Sequence, residues 1–269
     1  MLTIGEALDR FLPPVNERLE RTCDTLKCGN LGDELRGVAV TFLATVPVIE
    51  AAIAAGCNLI VTHEPTYWGH WDDLSALGDD PVAQHKQKLL ADHGIAVFRY
   101  HDHIHMHRPD LITAGMLDAL GWTDHAQCEQ TPEGPAYTGL ITLPEAKTLA
   151  EVAAHIRATL GPDPVSAVGA ADSPVRTIAL VAGAAGFGWH REAALGLQPD
   201  LLIVGEVNEW ETPVWVADSR AMGRTQALLV IGHQRSEEAG MAWWAGQLAG
   251  LLPGVPVRFL PKPATYTML

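Results

Sequence analysis

Apolar runs of strand length alternate with longer amphipathic segments along the chain, and this alternation restricts the fold more than any other feature. It argues for an α/β architecture rather than an all-α or all-β one. "GVAVTFLAT" reads as a strand, and "VPVIEAAIAAG" as a helix closed by Gly56. "NLIVTHE" is a second strand, running into the polar turn "EPTYWGHWDD". "DPVAQHKQKLLADHG" predicts a helix with Asp80 as N-cap, Pro81 at the first helical position and Gly94 at its end. "IAVFRYH" is a third strand. Two of these strands end in histidine-bearing turns, and open α/β sheets gather ligands at the carboxyl ends of their strands.

A second half begins near residue 126, after the helical "LITAGMLDALGW" and a turn-rich segment with Pro132, Gly134 and Pro135. It repeats the alternation: "YTGLITL", "VRTIALVAG", "DLLIVGE" and "ALLVIGH" read as strands, separated by the helices "TLAEVAAHIRATLG", "WHREAALGL" and "ETPVWVADSRAMG". The helix "SEEAGMAWWAGQLAGLLPG" and the strand "PVRFL" complete it. The expected organisation is two α/β lobes, residues 1–125 and 126–269, joined without a long linker.

With 269 residues, the chain is long enough for one large core or two modest ones. Its net charge of −14, without Lys/Arg clusters, would repel a phosphate backbone, so general nucleic-acid binding is not expected. Cys23, Cys28, Cys57 and Cys128 form no CxxC pair and read as reduced thiols. No apolar stretch reaches membrane-spanning length, and "MLTIGEALDRFLPP" lacks a basic region followed by a long apolar run. The expectation is a soluble cytoplasmic protein.

Three strand ends carry the candidate chemistry: His63 with Glu64, the run "RYHDHIHMHRPD", and "VIGHQRSEEAGM" with His233 and Glu237. His101, His103, His105 and His107 fall at every second position, which fits a metal site, one face of a strand, or a polar tract. Imidazole and carboxylate four residues apart, as in His233 and Glu237, can converge on one ion. "VAGAAGFGWH" could approach an anion with its backbone, but it fits neither phosphate-binding glycine pattern and also suits a tight strand-to-helix turn. Glu206 reads as a base or supporting acid, or equally as a helix-capping acid. Trp210, Trp215, Trp243 and Trp244 suggest packing or a subunit interface. His70, His85, His93, His125, His155 and His190 follow no ligand spacing and read as surface histidines.

"GVAVTFLATVPVIEAAIAAGCNLIVTHEPTYW", "FRYHDHIHMHRPD", "LIVGEVNEWE" and "VIGHQRSEEAGM" resemble successive blocks of the NIF3-like family of dinuclear-metal-centre proteins, in the same order and over nearly the whole chain. The resemblance implies two interlinked α/β lobes, a hexameric toroid, and two divalent ions per chain. The family pattern has two adjacent histidines after the second strand; here His63 matches the first and Glu64 stands at the second. It has an aspartate four residues after a histidine in an "HTNLD"-like block; here His101 matches the histidine and His105 stands where the aspartate would be. The terminal "GHxxSE" block is kept as His233, Ser236 and Glu237. The two exchanges preserve donor number and charge, and the pattern "THEPT…HDHxH" is similar to a branch of the family. The implied ligands are His63, Glu64, His105, His233 and Glu237, with His101 either on the ion or supporting a ligand. His103 and His107 fall to a solvated or substrate-facing loop, and Asp102 is placed to orient an imidazole.

Two such ions, with Glu64 and Glu237 neutralising about half their charge, suit hydrolysis of a small, nucleotide-like substrate, with Glu237 and Glu206 as candidate catalytic groups. Mixed nitrogen and oxygen donors fit Zn, Fe, Mn, Co or Ni. The alternative is a metal storage, delivery or regulatory protein without catalysis.

Overall fold

The computed structural model describes residues 1–127 and 138–267. Cys128, Pro132, Gly134 and Pro135, and the start of "YTGLITL", lie outside them. The chain forms two compact units, Met1–Met106 with Met241–Leu269, and His107–Gly240.

The first unit holds α1 (Ile4–Leu8), β1 (Leu26–Cys28), β2 (Val38–Thr41), α2 (Val46–Ala54), β3 (Leu59–Thr62), α3 (Pro81–Asp92), β4 (Ala96–Arg99) and α4 (Asp102–Met106). The second holds α5 (Leu111–Leu120), β5 (Thr138–Thr148), α6 (Leu149–Leu160), β6 (Ser166–Val168), β7 (Pro174–Val181), α7 (Phe187–Gly196), β8 (Leu201–Val204), α8 (Thr212–Ala221) and β9 (Ala227–Val230). Then α9 (His233–Leu251) leads to β10 (Val257–Phe259), which returns to the first unit.

This partition differs from the expected 1–125 and 126–269. β10 pairs in parallel with β2, Val257 opposite Val38, so the last strand completes the first sheet rather than the second. Strand pairing between segments this far apart in sequence leaves no local signature. The first sheet runs β1-β4-β3-β2-β10, with only β1 antiparallel. Every residue of β2, β3 and β4 is buried, the continuous apolar run of a parallel sheet covered on both faces. Asp80 caps α3 by accepting from the Val82 and Ala83 N–H groups, and Pro81 follows it, as the sequence predicts. Thr62 lies opposite Arg99, so the chain leaves β3 and β4 at the same edge of the sheet.

The second sheet runs β5-β7-β8-β9-β6, with β7, β8 and β9 parallel. Alternate residues serve opposite faces. Ile178, Leu180, Leu201 and Ile203 join Met116, Val152 and Ile156 in one core, and Ala179, Val181, Leu202 and Val204 join Ala193 and Val216 in another. Each such leucine or isoleucine contributes about 1.5–3 kcal/mol on burial.

Of the two uses offered for the tryptophans, Trp244 takes packing: it is buried against Phe11 and Tyr100, at ring-centroid distances of 5.2 and 4.9 Å. One expectation is corrected. His190 is fully buried rather than on the surface, its Nδ1 2.9 Å from Thr212 Oγ1. Burial pushes this ring down to about 4 from 6.5. Because the folded pKa is depressed, its contribution is fully present above about 6.5 and is lost as pH falls towards about 4, a difference on the order of 3 kcal/mol. Urea unfolding at pH 7, 5.5 and 4 should therefore show a loss of stability that a His190→Gln variant lacks in that window. Equal slopes in the two proteins would refute the assignment.

Among the described residues, no helix is long and apolar enough to cross a membrane.

Candidate metal centre

Residues 101–107 do not continue as a strand. They enter α4, where positions four apart share a face and positions two apart do not. His101 and His105 therefore come together, with ring centroids 5.1 Å apart, while His103 turns away and is buried. His63, just past β3, completes a trio, 4.6 Å from His101 and 5.0 Å from His105. One ring nitrogen from each of the three lies within 4.8 Å of the others.

Neighbours orient two of the three rings, those of His63 and His101. His63 Nδ1 is 3.2 Å from the Tyr100 carbonyl, which can only accept, so Nδ1 donates and Nε2 carries the lone pair. His101 Nδ1 is 2.9 Å from Asp102 Oδ1, which leaves Nε2 directed 3.6 Å from Glu64 Oε1. Burial lowers the His101 pKa, with Asp102 opposing it, and so favours the neutral ring a metal ion needs. Burial alone would raise the Asp102 pKa, but hydrogen bonds from His101, Thr22 and the Cys23 N–H hold it far below the usual range. The Cys23 thiol, within reach of His101 and Asp102, is pushed up to about 12 by burial and is no ready thiolate.

Two residues that sequence reasoning passed over hold this group in place. Asp24 accepts from the His101 and Asp102 N–H groups with Oδ1, at 2.7 and 2.8 Å, and from the His103 N–H with Oδ2, at 2.8 Å. Its Oδ2 also accepts a hydrogen bond from His103 Nδ1, at 2.7 Å, while His103 Nε2 accepts from the Leu19 N–H. The expected solvated or substrate-facing role of His103 is thus corrected: it is a buried strut. His107 is exposed. Arg99, fully buried, donates to the carbonyls of His63 and His70 and to Glu64 Oε2. A charged residue inside the apolar run "IAVFRYH" was the available signal, because an arginine is almost never fully buried without partners.

The second unit gathers His233, Glu206 and Glu237. His233 follows β9, a strand of the second sheet. His233 Nδ1 is 3.1 Å from Glu206 Oε2, and its Nε2 is 3.0 Å from Glu237 Oε2. An imidazole between two carboxylates is satisfied by the imidazolium, by a protonated inner carboxyl group, or by a cation shared with the inner carboxylate. The order outer carboxylate, imidazole, inner carboxylate repeats that of Asp102, His101 and Glu64. Ser236, buried, accepts from the Gly183 N–H at 2.9 Å and donates to the His233 carbonyl at 2.7 Å. The glycine-rich segment acts here as a tight turn: Gly183 has φ +68°, and a Cβ there would run into Glu237 Oε1. Gly183→Ala should cost about 1 kcal/mol in backbone strain and displace the Glu237 carboxylate. Metal titration should then show weaker uptake than wild type, and unchanged uptake would separate Gly183 from the site.

The His63, His101 and His105 group, with His63 and His101 each held through Nδ1, could hold a metal ion. The fold and this His/carboxylate cluster define a two-sheet α/β protein with a candidate metal site. The chain belongs to the Duf34/NIF3 (NGG1p interacting factor 3) family, whose sequence profile matches residues 4–263. A relative from Lactococcus lactis subsp. lactis (strain IL1403), described as a GTP cyclohydrolase 1 type 2 homolog, is 30% identical over 190 residues, 68% of each chain. A hypothetical protein of Staphylococcus aureus shares the fold with a TM-score of 0.75 at 16% identity, over 100% of this chain and 99% of that one. A Bacillus cereus protein related to NIF3 does so at 0.74 and 14%, over 99% of both.

Proposed function

We propose that this chain is a divalent-metal-dependent hydrolase acting on a small molecule. The observation that carries this reading is the His63, His101 and His105 trio, in which one ring nitrogen of each lies within 4.8 Å of the others. These three imidazoles and Glu64 form one donor set, and His233 with Glu237 the other, for two ions per chain of Zn, Fe, Mn, Co or Ni. Bound there, such ions supply Lewis acidity and bring the pKa of a coordinated water towards neutrality. The protein's own part is orientation: Asp102 and Glu206 each hold an imidazole by Nδ1, and Arg99 holds Glu64. The name of the Lactococcus relative favours a cyclohydrolase-type reaction, and phosphoester hydrolysis is the other reaction such ions serve. We further propose a homo-oligomer, hexameric by family resemblance, in the cytoplasm, where the free thiols Cys23, Cys28 and Cys57 would stay reduced.

Metal analysis of untagged protein should give two equivalents per chain, with His63→Ala losing at least one. A screen of phosphoesters, nucleotides and cyclic amides should then find turnover that His63→Ala and Glu237→Gln abolish. Tight metal without turnover would favour storage or delivery, and wild-type protein that takes up no metal would sink the reading.

A further inference from the structure

The turn that follows Glu64, residues 65–73, is held more firmly than a surface loop requires. Trp68 and Asp72 have φ of +61° and +55°, a region that residues other than glycine enter rarely and at some cost in energy. Three buried cations pin it from below. Lys86 donates to the Thr66 carbonyl, Arg99 to the His70 carbonyl, and Lys27 pairs with Asp72 at 3.3 Å. Asp72 in turn accepts from the Tyr67 N–H at 2.6 Å. Arg99 also holds Glu64, so the same guanidinium fixes the turn and a candidate ligand.

What this scaffold presents is aromatic. The His70 ring lies 6.3 Å from His101 and 4.7 Å from Trp71, and nearly half of Trp71 (47%) remains open to solvent. The Arg21 guanidinium sits 4.5 Å over the Trp71 ring. Arg21 is exposed and makes no ion pair among the described residues, although the chain carries a net charge of −14. An indole in the open offers stacking area, and a guanidinium on it offers a fork for an anionic oxygen.

We propose that His70, Trp71 and Arg21 form the substrate-recognition wall of the metal centre, and that it takes a planar aromatic ring bearing an anionic group. This inference rests on the metal-dependent reading above and narrows its substrate class. The ring stacks on Trp71 beside the His63, His101 and His105 trio, and Arg21 takes the anion. Either a nucleotide or an aromatic carboxylate has that chemistry.

Equilibrium dialysis distinguishes them, with adenosine 5′-monophosphate and nicotinate as the two probes. Adenosine and nicotinamide lack the anion, and ribose 5-phosphate and acetate lack the ring. One of the two probes should bind at least about tenfold more tightly than its own controls, the scale of one ring–aromatic stack. Trp71→Leu should abolish the preference over the ringless control, and Arg21→Gln the preference over the uncharged one. Neither residue is a candidate ligand, so both variants should keep the wild-type metal content. The measurement is made on metal-loaded and on chelator-treated protein. Loss of metal uptake in wild type would refute the metal reading alone, because Trp71 and Arg21 still report ring binding. The wall itself is refuted if neither probe saturates below millimolar concentration, or if both variants bind as wild type does.

Discussion

Asp24→Ala should lower the unfolding free energy by about 3–5 kcal/mol and reduce metal affinity about 10–100-fold, although Asp24 is not among the candidate ligands. One carboxylate accepts four hydrogen bonds, from the His101, Asp102 and His103 N–H groups and from the His103 ring. A helix as short as α4 cannot sustain itself, since nucleation is unfavourable and few of its hydrogen bonds are internal. Without the cap, three amide donors and a buried imidazole lose their acceptor, and the turn that brings His101 and His105 onto one face loosens. Asp24→Asn tests the charge separately: it keeps the shape but turns an amide donor towards groups that themselves donate, so it should fall between Ala and wild type. Urea unfolding and competition for a chromophoric zinc chelator would measure both effects. If Asp24→Ala bound metal with wild-type affinity, α4 would not depend on its cap for ligand placement.

The same residue shows why part of the site could not be read from the sequence. The parallel strands and their helices were legible because their signals are local: continuous apolar runs for β2, β3 and β4, and Asp80 with Pro81 opening α3. His63, Glu64 and His101 were legible as strand-end residues, and His233 with Glu237 by their spacing of four. The alternate histidines were ambiguous because a period of two suits a strand, whereas α4 forms through an acceptor 77 residues earlier in the chain. That long-range contact decides which histidines meet. His101 and His105 are joined, and His103, identical in type and between them, becomes a buried strut. β10 was assigned to the wrong half for the same reason, since its partner β2 precedes it by most of the chain. The short edge strands β1 and β6, three residues each, left no periodic signal at all.

Arg99→Met should be the other large effect, about 3–5 kcal/mol, because it removes one member of a buried charged network and leaves the rest in place. The guanidinium is fully buried and satisfies the carbonyls of His63 and His70 together with Glu64 Oε2, at 3.2 Å. Methionine fills similar space but donates nothing, so two carbonyls and a carboxylate lose a donor that water cannot readily replace. Arg99→Lys retains the charge but lacks the planar fork, and should recover only part of the loss. A double-mutant cycle with Glu64→Gln isolates the ionic component. Once Glu64 is neutral, Arg99→Met should cost about 1–3 kcal/mol less than it does in the wild-type background. Strict additivity in urea unfolding would show that the two residues act independently. Coupling would instead mean that the arginine stabilises the fold chiefly by holding a carboxylate in the place where the candidate metal centre uses it.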